Sequence, residues 1–313
     1  MIEFFGTLNN TVTPLPALEK KCWVNVTAPT ASEIDTLTTQ FKIPPEILTD
    51  ILDSDESARI EVEGRYLIII VKIPVLNNDD SHIPYITVPL GLLVSNDYII
   101  SISNIENDIT NDIKNNRIRN FDMSNNRRFV LQIFLRISTQ YLRNLKDISR
   151  TQREIEKKIN ISVKNEELLK LLDMEKSLVY FSTSLKSNEL MMEKLKRSKF
   201  SKMNEEDEDL IDDVIIENRQ AIEQTSIHTN IMSGTMDTFA SIISNNQNVV
   251  IKTLTTITIV LMIPTLVSSF FGMNVLDDSI PFSKNPYGFN IILIGSIGLS
   301  TIGYLYFRKK DLF

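Results

Sequence analysis

Residues 253–274 read TLTTITIVLMIPTLVSSFFGMN. From Thr253 to Phe271 this stretch carries no charged side chain, and a second uncharged run, Tyr287 to Phe307, follows after a short polar segment. Each approaches the ~20 residues that an α-helix needs to cross a ~30 Å hydrocarbon core. Two membrane spans are therefore expected, over 253–271 and 287–307, joined by a loop over 272–286. The other reading, two buried helices of a water-soluble fold, runs against the rarity of such long apolar runs in soluble proteins. Charge sets the orientation. Lys252 precedes the first run and Arg308, Lys309 and Lys310 follow the second, whereas the loop holds Asp277 and Asp278 against Lys284. Basic flanks stay in the cytoplasm. Both termini are thus expected inside, with the loop outside and a basic tail over 308–313, in a multi-pass protein of the cell (inner or plasma) membrane in contact with lipid.

Composition narrows the remainder. The chain has 313 residues and a formal charge of −7, with 40 acidic against 33 basic side chains. Nucleic acid is not an expected partner, because phosphate binding needs a basic face. Cys22 is the single cysteine, and His82 and His228 are the two histidines. An intrachain disulfide and a cysteine-cluster metal site are thereby excluded, and soft or borderline metals find few favoured ligands. Met1 to Pro16 lacks a basic segment followed by an apolar one, so the part before the spans is expected to stay where it is made. Neither a nucleotide-binding GxxxxGK[ST] loop nor a nucleophile–base pair stands out, so neither an enzyme nor an organic cofactor is expected.

Upstream of the spans the pattern changes once. Cys22 to Val26 reads as a strand and Thr30 to Phe41 as a short helix with polar capping candidates in Ala31-Ser32-Glu33. Further strands are expected at Arg59 to Val62, Tyr66 to Val75, Tyr85 to Val94 and Tyr98 to Ser103, rich in Ile, Val and Tyr and bounded by turn residues. Tyr66 to Val71 is apolar throughout, which places it in the centre of a sheet covered on both faces. The expected architecture is an α+β cytoplasmic domain over 1–125, a mixed sheet with helices on both faces. Long cytoplasmic helices follow over 126–203, with apolar residues such as Leu168, Leu171, Leu172 and Leu178 at helical spacing. A third helix is expected to begin near Asn204, with Asp207 completing its cap, and to form a stalk over 204–252. Pro264 and Gly234 are its only weak points up to Phe271. If continuous, that ~67-residue helix extends on the order of 100 Å and needs company along its inner face.

Two features carry function. Stepping from Asn248 alternately by three and four gives Ile251, Thr255, Thr258, Met262, Thr265 and Ser269, a seam on one side of the first span. Downward it meets Ser244, Ser241 and Asp237, while Leu254, Ile257, Val260 and Leu261 are expected on the opposite side, against lipid or a second helix layer. A polar seam in a membrane helix faces protein or water rather than lipid. Its threonines can also bond back to their own helix carbonyls or join helices together. The second feature is a row of carboxylates, Glu205, Asp209, Asp213 and Glu217, at four-residue steps along the stalk. Like charges so spaced weaken a helix by a few tenths of a kcal/mol per pair, so a compensating positive charge is expected. A merely solvated acidic face is the other reading.

Met262-Ile263-Pro264-Thr265-Leu266 followed by Phe270-Phe271-Gly272-Met273-Asn274 resembles the first span and signature loop of the CorA family of magnesium and divalent-cation channels. Ile43-Pro44-Pro45, Leu52-Asp53, Asp55-Glu56 and Arg59-Ile60-Glu61 resemble that family's N-terminal domain. Phe271 stands where tyrosine is usual, and Val275-Leu276-Asp277-Asp278 departs from the common sequence after the motif. The resemblance implies a funnel-shaped homopentamer whose first spans line a pore and whose second spans surround them. It implies potential-driven influx of Mg²⁺, with Co²⁺ or Ni²⁺ as further cargo. Asn274, with Gly272 and Met273, would capture the ion at the outer mouth, and Asp237 would form a ring at the cytoplasmic end. It further implies that cytoplasmic Mg²⁺ closes the channel when bound between subunits. Asp213 with Asp209 and Glu217 would be the stalk side of that site, and Asp79 or Asp80 the neighbour's contribution. A zinc transporter of the same superfamily, or a membrane-anchored scaffold or sensor without transport, are the alternatives.

Overall fold

A computed structural model describes residues 1–8, 11–77, 82–118, 123, 125–159, 165–197, 205–273, 281–282 and 285–309. The chain divides into two compact units, Met1–Met236 and Asp237–Phe313. In the first, strands β1 (Ile2–Leu8), β2 (Thr11–Leu15), β3 (Cys22–Thr27), β4 (Arg59–Glu63), β5 (Tyr66–Leu76), β6 (Tyr85–Val94) and β7 (Tyr98–Ser103) form one sheet in the order β2-β1-β3-β7-β6-β5-β4. The β3–β7 pair is parallel and every other pair antiparallel, so the sheet is mixed.

Helices cover both faces. On one lie α1 (Ala31–Thr39) and α2 (Pro45–Leu52), whose Leu37, Ile47, Leu48 and Ile51 pack with Val24, Ile68, Ile70, Leu93 and Ile100 of the strands. The start of α1 is fixed by a capping box: the Glu33 N–H donates to Thr30 Oγ1 and the Thr30 N–H donates to the Glu33 carboxylate at 2.8 Å. The cap is therefore Thr30, one residue ahead of the candidates in the sequence. On the other face lie α3 (Asp108–Lys114), α4 (Asn126–Ile159) and α5 (Asn165–Arg197). There Trp23 packs its ring 6.0 Å from that of Phe129, and Tyr141 meets Phe181 edge-on at 5.1 Å. The strand β5 is buried from Ile68 to Val75, as the unbroken apolar run requires of a strand covered on both sides. It lies one strand in from the edge rather than at the centre, which belongs to β7 and its neighbours.

Strands β1 and β2 and helices α2 and α3 lie outside the elements expected from the sequence. Pro14 in β2 argues against a central strand, and β2 is an edge, where a missing N–H costs nothing. Asparagine amides pair with backbone groups that no neighbouring strand reaches, at Val12 on the edge strand β2 and at Lys72 on β5. The Val12 N–H donates to Asn116 Oδ1 at 2.6 Å, and Asn116 Nδ2 donates back to the Val12 carbonyl at 3.1 Å. At the other side β4 stops pairing at Ile70 while β5 runs on to Leu76. The Lys72 N–H there donates to Asn188 Oδ1 at 2.9 Å, Asn188 Nδ2 donates to the Lys72 carbonyl at 2.8 Å, and the Tyr141 hydroxyl adds a third bond at 3.0 Å.

Helix α6 (Glu205–Phe271) is continuous through Gly234 and Pro264. Asn204 lies outside the described residues. Within the first unit its buried face, Ile211, Val214, Ala221 and Thr225, turns toward α4 and α5; Asn218 Nδ2 donates to the Leu185 carbonyl at 3.1 Å. Because Asn188 is wholly buried, Asn188→Ala strands the Lys72 N–H without a partner while Tyr141 still serves the carbonyl. A loss of about 1–3 kcal/mol is expected, read as a lower melting temperature of the full-length protein by circular dichroism.

Candidate ion pathway and carboxylate row

The second unit holds the remainder of α6 and α7 (Gly288–Lys309). These are the described helices long and apolar enough to cross a membrane, and only 6% and 11% of their most apolar windows are buried. A core helix of a soluble fold would be mostly covered, so the exposure argues for spans. Helices α6 and α7 meet where a side chain at Gly303 would put its Cβ 3.4 Å from Ile263 Cδ1. On that side of α6, Thr253, Val260, Ile263 and Val267 are half-buried and Thr256 is buried.

At 100° per residue, the seam of Asn248, Ile251, Thr255, Thr258, Met262, Thr265 and Ser269 lies on the opposite side of α6 from the α7 contact. All seven side chains are exposed, Ile251 by 60% and Met262 by 62%. Leu254, Ile257 and Leu261 are also exposed but sit about a quarter turn from both faces. Val260 belongs to the side facing α7, opposite the seam as expected, whereas the other three do not reach that side, because two successive steps of three, 254 to 257 to 260, turn about 120° around the helix. The threonines do bond back: Thr258 Oγ1 donates to the Leu254 carbonyl at 2.8 Å and Thr265 Oγ1 to the Leu261 carbonyl at 3.0 Å. A hydroxyl has one proton and two lone pairs. Once the proton is committed to the backbone, the oxygen turns only acceptor capacity outward, toward anything positive or toward the hydrogens of water.

At the end of α6 the Gly272 N–H donates to the Ser268 carbonyl at 2.9 Å, and a Cβ at Gly272 would stand 3.3 Å from that same oxygen. Met273 is 53% exposed. Asn274, Asp277, Asp278, Lys284 and Lys310 lie outside the described residues, as do Asp79 and Asp80. Asp237 is exposed at the start of the unit, its carbonyl taken by Ser241 Oγ at 3.0 Å.

In the first unit the carboxylate row is divided. Lys196 pairs with Asp212, and Arg128 with Glu206 at 2.8 Å, so the compensating cations serve residues beside the row. Asp209 and Asp213 are exposed and Glu217 half-buried; among the described residues none of the three has an ion pair. The same residues contain no group of three or more carboxylate, histidine or cysteine side chains poised for a metal. The side chain of Glu205 is outside the description.

A family model described as CorA-like Mg²⁺ transporter protein matches residues 19–309. The chain belongs to that family. It is 25% identical over 298 residues to the cobalt/magnesium transport protein CorA of Methanocaldococcus jannaschii, covering 92% of this chain and 90% of the relative. The complete structure of the CorA magnesium transporter from that organism is similar to this one with a TM-score of 0.82 at 22% identity, over 100% of this chain and 99% of the other. The cytoplasmic domain of ZntB from Vibrio parahaemolyticus shares the fold at a TM-score of 0.59 and 12% identity, over 78% of this chain and 97% of the other. CorA-family membership makes the chain a membrane transport protein; the family is one of transporters rather than enzymes.

The Gly303 contact generates a test of how the two membrane helices pack. Gly303→Leu forces a branched side chain against Ile263, whereas Gly298 has nothing within 4 Å of its missing Cβ. The Gly303 variant is expected to lower the melting temperature of the detergent-solubilised protein by several degrees, an overpacking cost of about 1–3 kcal/mol. Gly298→Leu should leave it within a degree or two.

Proposed function

We propose that this CorA-family chain assembles as a homopentameric, funnel-shaped channel that admits Mg²⁺ down the membrane potential. Co²⁺ and Ni²⁺ are further cargo in this reading. In this reading both termini lie in the cytoplasm, residues 253–271 line the pore, residues 287–307 form the outer helix layer, and the loop over 272–286 caps the extracellular mouth. The observation that carries it is the exposed acceptor seam on the side of α6 turned away from α7. Copies of that seam around an axis make a wall of hydroxyl oxygens. Such a wall suits an ion that keeps its waters, as Mg²⁺ does, because the waters donate to the oxygens. Ile251 and Met262 supply apolar rings in the same wall, where a narrow pore can close by dewetting. Asp237 adds a carboxylate ring at the cytoplasmic end, and Asn274, with Gly272 and Met273 shaping the loop, a ring of neutral amide oxygens at the outer end. An inside-negative potential of 100 mV supplies about 4.6 kcal/mol to a divalent ion, so no nucleotide is needed.

Cytoplasmic Mg²⁺ would close the channel by binding between subunits. Asp209 and Asp213 fit such a role as hard oxygen donors that are exposed and without ion pairs among the described residues. Among the described residues the chain brings no third ligand to them, so a neighbour's carboxylate would complete the set, with Asp79 or Asp80 as the candidates. Glu217 is half-buried on the same row and would contribute from its edge. Zinc transport is the weaker reading. The likeness to the ZntB domain is one of fold, and the seam offers oxygen rather than thiol or imidazole.

Flux of Mg²⁺ into proteoliposomes under an imposed potential tests the pathway. Asn274→Ala is expected to reduce influx by at least tenfold while the oligomer stays intact. Cysteines at Thr258 and Thr265 should be blocked by water-borne thiol reagents, and one at Leu261 should not. Equal reactivity at all three positions would mean that the seam is not the wall.

For the regulatory site, Asp213→Ala removes a ligand without supplying a fixed positive charge in its place. The internal Mg²⁺ concentration that halves the current should rise by about tenfold, the equivalent of ~1.4 kcal/mol of binding. An unchanged closing concentration would return the carboxylate row to a solvated helix face.

A further inference from the structure

An unassigned cavity of about 410 Å³ opens at the outer edge of β5, beyond the point where β4 stops pairing. It lies between the loop after α2, which brings Ser54, Asp55 and Glu56, and the helix α5, which brings Tyr180 and Thr183. Lys72 also lines it. This lysine interrupts an otherwise apolar strand and is only 7% exposed. Its Nζ donates to the Ser54 carbonyl at 2.6 Å, and among the described residues no carboxylate comes within 4.0 Å of it. An ammonium has three donors, so the recorded bond leaves two to be satisfied from the cavity. Burial pushes its pKa down, and Asp55, Asp53 and Glu56 offset this from a distance.

A buried cation without an ion-pair partner is costly, and Met or Leu would fill the same strand position without that cost. The nearby acids do not remove the imbalance. Glu56 is committed to Arg59, which also holds Asp50 at 2.6 Å, and Asp55 is exposed at the rim. The floor of the cavity therefore presents a positive charge. Its walls are partly apolar, with Ile86, Val179 and Tyr180, the last two 55% and 44% exposed. The volume falls within the ~300–1,000 Å³ of small-molecule sites, in which a few polar groups fix an otherwise apolar ligand.

We propose that this cavity binds a small organic anion, with one carboxylate or phosphate head group on Lys72 Nζ and an apolar body against Ile86, Val179 and Tyr180. Asp55 at the rim repels a second negative charge, so a single head group is preferred over polyanions. The site shares no residue with the seam of α6 or with the carboxylate row, and its occupancy does not depend on which ion the channel carries.

Calorimetric titration of the full-length protein in detergent, with phenyl phosphate, phenylacetate and inorganic phosphate as probes, tests the proposal. At least one aromatic anion is expected to bind saturably, one per chain and more tightly than inorganic phosphate; which of the two binds better identifies the head group. Lys72→Met should weaken that binding by at least tenfold. Thr183 is exposed on α5, with its hydroxyl turned back to the Val179 carbonyl at 3.0 Å, so Thr183→Trp fills the cavity without touching the cation and should weaken binding as much. If the Lys72 variant fails to fold, the Thr183 variant decides alone. Absence of saturable binding of either aromatic anion to the wild type, or wild-type affinity in either folded variant, overturns the proposal.

Discussion

A polar group that water cannot reach has to find its partner within the chain, and that requirement shapes both units. Each buried backbone group left alone costs about 1–3 kcal/mol, several times what a good helix or strand former contributes. The sheet meets the demand at its edges with Asn116 and Asn188, whose amides offer one donor and one acceptor and so imitate a passing strand. The apolar helix meets it differently. A threonine hydroxyl there gives its proton to the carbonyl one turn earlier, as at Thr256, Thr258 and Thr265. Satisfaction of the proton and display of the oxygen are then the same event. The reading in which these threonines merely bond back to the helix and the reading in which they face an ion do not compete.

That display bears on which ion the proposed wall suits. Hydroxyl and amide oxygens are hard, neutral acceptors, matched to the protons of ion-bound water and poor at replacing the waters themselves. Ligands for a softer metal are placed elsewhere. Cys22 is buried in β3, His82 is exposed in the first unit, and His228 is half-buried with its pKa pushed down by burial and by Arg153. None of the three is on the seam. In the proposed channel, an oxygen wall would pass a hydrated cation without holding it, which favours conduction over tight coordination.

Legibility in the sequence followed the range of the interactions involved. The spans, the seam and the long helices come from periodicity within one element, where 3.6 residues per turn fixes which side chains share a face. Strands β3 to β7 were legible for the same reason, through runs such as Tyr66 to Val75. Strands β1 and β2 were not, since Pro14 reads as a breaker until the strand is known to lie at an edge. Helix α2 begins at Pro44-Pro45, a pair that reads as a turn before it reads as a helix start. The position of β5 near one edge, and the closure of that edge by a residue far along the chain, arise only from tertiary pairing. The sequence signal of the cavity is Lys72, a lone charge inside an apolar strand. On the first span Val260 does lie opposite the seam, against α7, whereas Leu254, Ile257 and Leu261 fall about a quarter turn short of that face.

The acidic face of α6 turns the same reasoning to charge. Basic side chains of α4 and α5 reach Glu206 and Asp212, leaving Asp209 and Asp213 exposed on the side away from the buried Val214 and Asn218. The local cations thus neutralise the neighbours of the row and not the row itself. Exposed carboxylates one turn apart repel by only a few tenths of a kcal/mol, which a helix packed along its other face tolerates easily. A structural need for a metal at this place is therefore weak, and a metal that binds there is free to act on something other than stability of the fold. Binding can bias a conformational equilibrium only through different affinities for the two states. In the proposed oligomer, a pair of carboxylates without a third ligand among the described residues of their own chain would gain such a difference most directly if the neighbour supplied that ligand in one state and withdrew it in the other.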